Sequence, residues 1–234
     1  MPPVLLAPFL VALAAAALQP VPLGGELALR RTLHAASVEL ATGCSGVLAE
    51  SRQLVVTALH CVDDGRRNVR VRFSTGTSRT AWVAATDEAS DQAVLFLEDP
   101  VPIEPLTLVR RRQIPGTVLY FEGHPEHPRF QSARLEKVGR CSSLPDLPNA
   151  LFTSIQGKPG DSGAPLVDVA ARVSGLVHGG ARCHIATPAD TLLRLIDEIL
   201  GRDAVQMTRA LPRPATPSAS ACRGGASSRT APRA

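Results

Sequence analysis

From about Leu23 to Thr187 the chain is a succession of short apolar or alternating runs punctuated by Gly, Pro, Asp and Ser. That punctuation is the signature of a β-sandwich or barrel rather than of a helical protein. The clearest alternation is Asn68-Val69-Arg70-Val71-Arg72-Phe73, with valine and phenylalanine on one face and charge on the other, as in a half-buried antiparallel strand. Leu54-Val55-Val56, Ala93-Val94-Leu95-Phe96-Leu97, Val118-Leu119-Tyr120-Phe121 and Ser174-Gly175-Leu176-Val177 read as buried strands. Aromatic residues make up 3% of the 234 residues, so the core must be built from Val, Leu, Ile and Ala.

Two segments break the strand pattern. Asp99-Pro100-Val101-Pro102-Ile103-Glu104-Pro105 cannot form a central strand and reads as the joint between two barrels. Near the end, Thr187 as an N-cap and Pro188 at the first helical position precede apolar residues at Leu192, Leu193, Leu195, Ile196, Ile199 and Leu200, which predicts one helix over 188–200. The domain reading is therefore a first barrel over 23–103, a second over 104–187, the helix, and a tail over 201–234. That tail is rich in Pro, Ala and Arg and holds too little apolar surface to offset its ordering entropy, which predicts disorder.

Residues 1–20 form an apolar run that ends in small residues, as an export signal does, with an uncleaved membrane anchor as the rival reading. Either predicts a secreted or periplasmic location, in which disulfides persist. The net charge of +4 resides in the tail, where six Arg stand against one Asp; the rest of the chain holds 19 basic and 20 acidic residues. A nearly neutral body excludes the basic groove of a nucleic-acid-binding domain. Its one basic cluster, Arg110-Arg111-Arg112, lacks interleaved aromatics and reads as a solvated loop.

Chemistry concentrates in three segments. Thr57-Ala58-Leu59-His60-Cys61 follows a buried strand, and Asp91-Gln92-Ala93 opens another. Gly157-Lys158-Pro159-Gly160-Asp161-Ser162-Gly163 is a glycine-rich turn leading into a third. Taken singly, each is an ordinary turn or strand end. Together, in the order His, Asp, Ser, they resemble the catalytic segments of chymotrypsin-like serine peptidases, in the short form found in bacteria; α/β-hydrolases put serine first and subtilisin-like enzymes put aspartate first.

The resemblance covers roughly residues 23 to 200. It implies two packed six-stranded antiparallel β-barrels with a C-terminal helix, and a hydrolase of peptide bonds that acts on protein or peptide substrates. The nucleophile would be Ser162, the general base His60 and the orienting carboxylate Asp91, with Asp87 as the other acid in that segment. The backbone amides of Gly160 and Ser162 would form the oxyanion hole, and no cofactor or metal is required. A membrane would be a partner only if the N-terminal segment stays uncleaved, and the oligomeric state is open. Two other classes stay in view: a silent binding scaffold of the same fold, and an esterase.

The same resemblance implies a disulfide between Cys44 and Cys61, pinning the histidine loop. Cys141 could pair with Cys183, leaving Cys222 in the tail, although spacing does not decide connectivity. Zinc at Cys183-His184 with His178, or at His124-Pro125-Glu126-His127, is the rival reading, but neither has the paired spacing of tetrahedral sites. Asp161 needs a partner: a new amino terminus near Val21 or Pro22, or else backbone amides or an arginine. Gln156 occupies the place of the aspartate that makes family members trypsin-like, so basic side chains lose their anion. The pocket would involve Gln156, His178, Gly180 and His184, and would receive either a glutamate through the two imidazoles or a medium apolar residue.

Overall fold

The computed structural model describes residues 23–62, 68–123, 128–178 and 183–210. The apolar segment 1–20, the cluster His124–His127, Gly180 and Cys222 lie outside the described residues, as does the tail beyond Ala210.

Twelve strands of the described residues close into two antiparallel barrels. The first barrel comprises β1 (Ser37–Leu40), β2 (Ser45–Leu48), β3 (Leu54–Ala58), β4 (Asn68–Phe73), β5 (Ser78–Asp87) and β6 (Gln92–Leu97). They close in the order β1-β2-β3-β6-β5-β4, all antiparallel. The second comprises β7 (Val118–Gly123), β8 (Arg129–Gly139), β9 (Ala150–Thr153), β10 (Pro165–Val167), β11 (Val173–His178) and β12 (Ile185–Pro188), closed in the order β10-β11-β12-β9-β8-β7. Closure removes the exposed edges that would otherwise template association.

Strand character follows from the side chains. β4 buries Val71 and Phe73 and exposes Arg70 and Arg72, as its alternation requires. All five residues of β3 are buried, because it pairs with β2 on one side and β6 on the other. The proline-rich joint contains no strand. Just beyond it, Leu106 forms a parallel bridge to Ala49 of the first barrel and Leu108 one to Val173 of the second. Val101, Leu106, Leu108 and Val109 enter the same apolar cluster as the first-barrel core. At the barrel junction, buried Gln92 donates to Thr187 Oγ1 at 2.8 Å and to the Pro188 carbonyl at 2.9 Å.

Two helices depart from the expectation. The stretch assigned to the start of the first barrel is α1 (Leu23–Ala36), whose Leu29, Leu33 and Ala36 are buried. Their spacing of four and then three residues is helical, and it is obscured in the sequence by Gly24-Gly25 and the charged residues between them. His34 of this helix pairs with the buried Glu122 of β7. The C-terminal helix α2 spans Asp190–Ala210, not 188–200. Pro188 pairs with Gly175 in the sheet, and Thr187 accepts from Gln92 and does not act as the cap. At the other end Gly201 costs about 1 kcal/mol in a helix interior without ending it, so the helix enters the stretch expected to be disordered.

Candidate active site

His60 sits in a short turn, Leu59–Cys61, at the end of β3. Cys61 is bonded to Cys44 immediately before β2, so the bridge ties this turn to the neighbouring strand. Asp91 precedes β6 in left-handed backbone, φ +52°, a conformation that Asp tolerates better than most residues. That turn aims its carboxylate at the histidine loop. Oδ1 accepts the His60 backbone N–H at 2.9 Å, and Oδ2 accepts His60 Nδ1 at 2.6 Å. An ionised carboxylate only accepts, so the proton lies on Nδ1 and leaves Nε2 with a lone pair.

Asp91 carries a further contact: His178 Nε2, at the end of β11, lies 3.1 Å from Oδ2. Burial works to raise this carboxyl, but hydrogen bonds from His178 and His60 outweigh it and hold Asp91 far below the usual carboxylate range. The hydrogen bond to Asp91 raises His60 above the usual imidazole value, against partial burial and with help from the carboxylate charge. Asp87, the other acid of the segment, turns elsewhere. Its Oδ1 accepts from Ser90 N and Oγ, and its Oδ2 pairs with Arg194 at 2.5 Å.

Ser162 is buried in a turn between Gly160, φ +93°, and Gly163, φ +82°. The turn docks on the first barrel: Ser45 N donates to the Ser162 carbonyl at 2.9 Å, and Ser45 Oγ to the Gly160 carbonyl at 2.7 Å. A Cβ on Gly163 would lie 2.2 Å from the Ser45 carbonyl, 2.4 Å from Thr57 Oγ1 and 2.9 Å from Ala58 N. The glycine therefore lets the serine turn nest against β2 and β3, the strand pair whose ends carry Cys44 and His60. Asp161, fully buried, accepts the Lys158 N–H at 2.6 Å and pairs with Arg129 at the start of β8. Both act on Oδ2, and Oδ1 has no hydrogen-bond partner among the described residues; Val21 and Pro22, where an amino terminus was the alternative partner, lie outside those residues.

Beside the serine turn, Thr153, Ile155, Val177, His178, His184 and Ile185 line a cleft of about 100 Å³. Gln156 is exposed near its rim and His184 is exposed within it, while the imidazole of His178 is bound to Asp91. Cys183 is bonded to Cys141, which removes it as a thiolate ligand. Sequence reasoning placed His178 in the pocket and missed its bond to Asp91; no local signal marked Arg129 as the partner of Asp161.

Residues 44–176 match the family model described as a trypsin-like peptidase domain. Serine protease HTRA1B of Danio rerio is 28% identical over 188 residues, covering 75% of this chain and 38% of that protein. Serine protease HTRA2, mitochondrial, of Bos taurus is 30% identical over 158 residues, covering 64% of this chain and 34% of that protein. The chain thus spans little more than a third of the length of these curated relatives. The solved structure titled "Crystal structure of Deg5" superimposes with a TM-score of 0.64 at 20% identity, covering 76% of this chain and 95% of that one, a likeness of fold.

Proposed function

The chain belongs to the trypsin-like peptidase domain family, and on that premise we propose that it is a secreted or periplasmic serine endopeptidase that cleaves peptide bonds through an acyl-enzyme on Ser162. The observation that carries the reading is the 2.6 Å bond from His60 Nδ1 to Asp91, which leaves the other ring nitrogen free to act as a base. Two disulfides, Cys44–Cys61 and Cys141–Cys183, support an oxidising compartment.

In this reading His60 takes the Ser162 hydroxyl proton as Oγ adds to the scissile carbonyl, and Asp91 stabilises the resulting imidazolium. The negative charge on the former carbonyl oxygen goes to the amides of Gly160 and Ser162; the positive φ of Gly160 supports such a turn. Protonated His60 then gives its proton to the leaving amine as the C–N bond breaks. Water, deprotonated by the same imidazole, releases the acid product and restores Ser162.

The cleft favours a medium apolar side chain over a glutamate, because Ile155, Val177 and Ile185 line it and Asp91 holds one of its two imidazoles. The deciding experiment is incubation of the purified protein with a fluorophosphonate probe and, separately, with a denatured protein. We expect labelling on Ser162 and cleavage after Leu or Val faster than after Glu. Neither label nor cleavage would leave a silent scaffold, and ester turnover without proteolysis an esterase.

A further inference from the structure

Away from the catalytic turn, the segment leaving the inter-barrel joint runs beside the start of β11. Val109 N donates to the Val173 carbonyl at 2.9 Å, and Val173 N to the Thr107 carbonyl at 2.8 Å. Two spaces adjoin along this seam. One is a groove of about 590 Å³ to which Arg110, Arg111, Arg112 and Arg172 contribute. The other is a small cavity of about 30 Å³, largely apolar, walled by Val109, Val138, Leu151 and Pro188 with Ser174 among them. Val109, Arg111, Arg112 and Gln113 line both.

Charge and hydrogen bonding each leave one group unanswered. Arg110 lies 3.9 Å from Glu50, Arg112 bonds Asp190 at 3.0 Å and Arg172 bonds Asp168 at 2.7 Å. Arg111 forms no ion pair within 4 Å among the described residues, whereas Glu50 of the groove and Asp190 of the cavity are engaged by Arg110 and Arg112. In the cavity, Ser174 is 2% exposed and its Oγ has no hydrogen-bond partner, an omission that costs free energy in a buried group.

We propose that this seam is a binding site for a peptide carboxylate flanked by a small aliphatic side chain. The carboxylate lies on the planar fork of Arg111, which matches its geometry. The aliphatic group fills the cavity against Val109 and Leu151, and a polar backbone atom of the peptide completes Ser174 Oγ. The cavity exceeds the roughly 10–15 Å³ that a single water needs, and its lining suits an apolar group. Inorganic anions carry no such group, and no aromatic residue lines either space to stack a base. The site lies at the first residues of β11, whereas His178 ends that strand at the catalytic carboxylate. It is therefore an exosite, independent of the peptidase reading.

The test is calorimetric titration of the full chain carrying Ser162→Ala, which cannot turn over its ligand, with three acetylated probes: Gly-Ser-Gly-Val with a free terminus, the same peptide amidated, and amidated Gly-Val-Glu-Gly. We expect at least one of the two acidic probes to bind at least about tenfold more tightly than the neutral one, as befits a charge-assisted pair; which of them does so assigns the carboxylate to a chain end or a side chain. Arg111→Gln, at an exposed position, should remove that preference. Ser174→Ala should weaken binding about threefold while leaving the fold intact, since the hydroxyl has no internal partner to lose. Absence of acid-dependent binding, equal affinity in Arg111→Gln, or displacement by equimolar inorganic phosphate would each overturn the proposal.

Discussion

His178 Nε2 donates to Asp91 Oδ2 across 3.1 Å, on the same oxygen that holds His60 Nδ1 at 2.6 Å. One carboxylate oxygen thus serves two imidazoles from opposite barrels. His178 competes for the charge that would stabilise protonated His60, and it also gives the carboxylate a second donor that holds it in place. His178→Ala should lower kcat by about tenfold, within the range of one hydrogen bond to a charged group, with little change in KM. It should also move the acid limb of the kcat/KM profile to higher pH. A residue that only filled space would leave that limb in place, and His178→Asn, which keeps a donor, should recover part of kcat.

The pH dependence of stability follows from the same cluster. His60 is raised in the fold, so its contribution is full below the unfolded value near 6.5 and is lost as pH rises through the folded value. Asp91 is depressed, so its contribution is present above the unfolded value of about 3.9 and is lost as pH falls through the folded one. Both operate together between roughly pH 4 and 6.5. Asp91→Asn should therefore lower the melting temperature more at pH 5 than at pH 9, as read by scanning calorimetry on the Ser162→Ala background. An equal drop at both values would remove the linkage.

Arg129→Met should destabilise the protein by about 3–5 kcal/mol, the scale for a fully buried carboxylate stripped of its ion-pair partner. Since Asp161 immediately precedes Ser162, labelling by the fluorophosphonate should slow as well. Adding Asp161→Asn in the same chain should restore much of the urea midpoint, because the uncompensated charge is gone.

Gly163→Ala has no room: the new methyl would meet backbone and side-chain atoms of β2 and β3 at 2.2–2.9 Å, on a residue with φ +82°. We expect loss of probe labelling and a destabilisation exceeding the roughly 1–2 kcal/mol of left-handed backbone alone. Gly76→Ala is the control, with φ +82° and nothing within 4 Å of the added carbon. Its cost should stay near that backbone value, measured by the same urea unfolding.

Local order determined much of this molecule. The alternation in Asn68–Phe73, the unbroken apolar run Leu54-Val55-Val56 and the prolines of 99–105 each specify a backbone period or forbid one, and a strand, a buried strand and a joint stand where they are. Likewise His60, Asp91 and Ser162 stood out because each lies where a strand begins or ends beside residues that turn the chain. The start of α2 was less legible, since Thr187 and Pro188 suit a helix cap as well as the strand pairing that claims them.

The arginine partner of Asp161 and the second imidazole on Asp91 were decided by tertiary structure alone. Arg129 reaches Asp161 across 32 positions, and His178 reaches Asp91 across 87. A periodicity describes which face a side chain takes relative to its own strand, whereas an ion pair depends on how two closed barrels are set against each other. The register pairing Val177 with Ala186 and His178 with Ile185 gives His178 its face, and a slip of one residue would turn the imidazole away from the carboxylate. That register is set by the closure of the second barrel, in which every strand constrains the next.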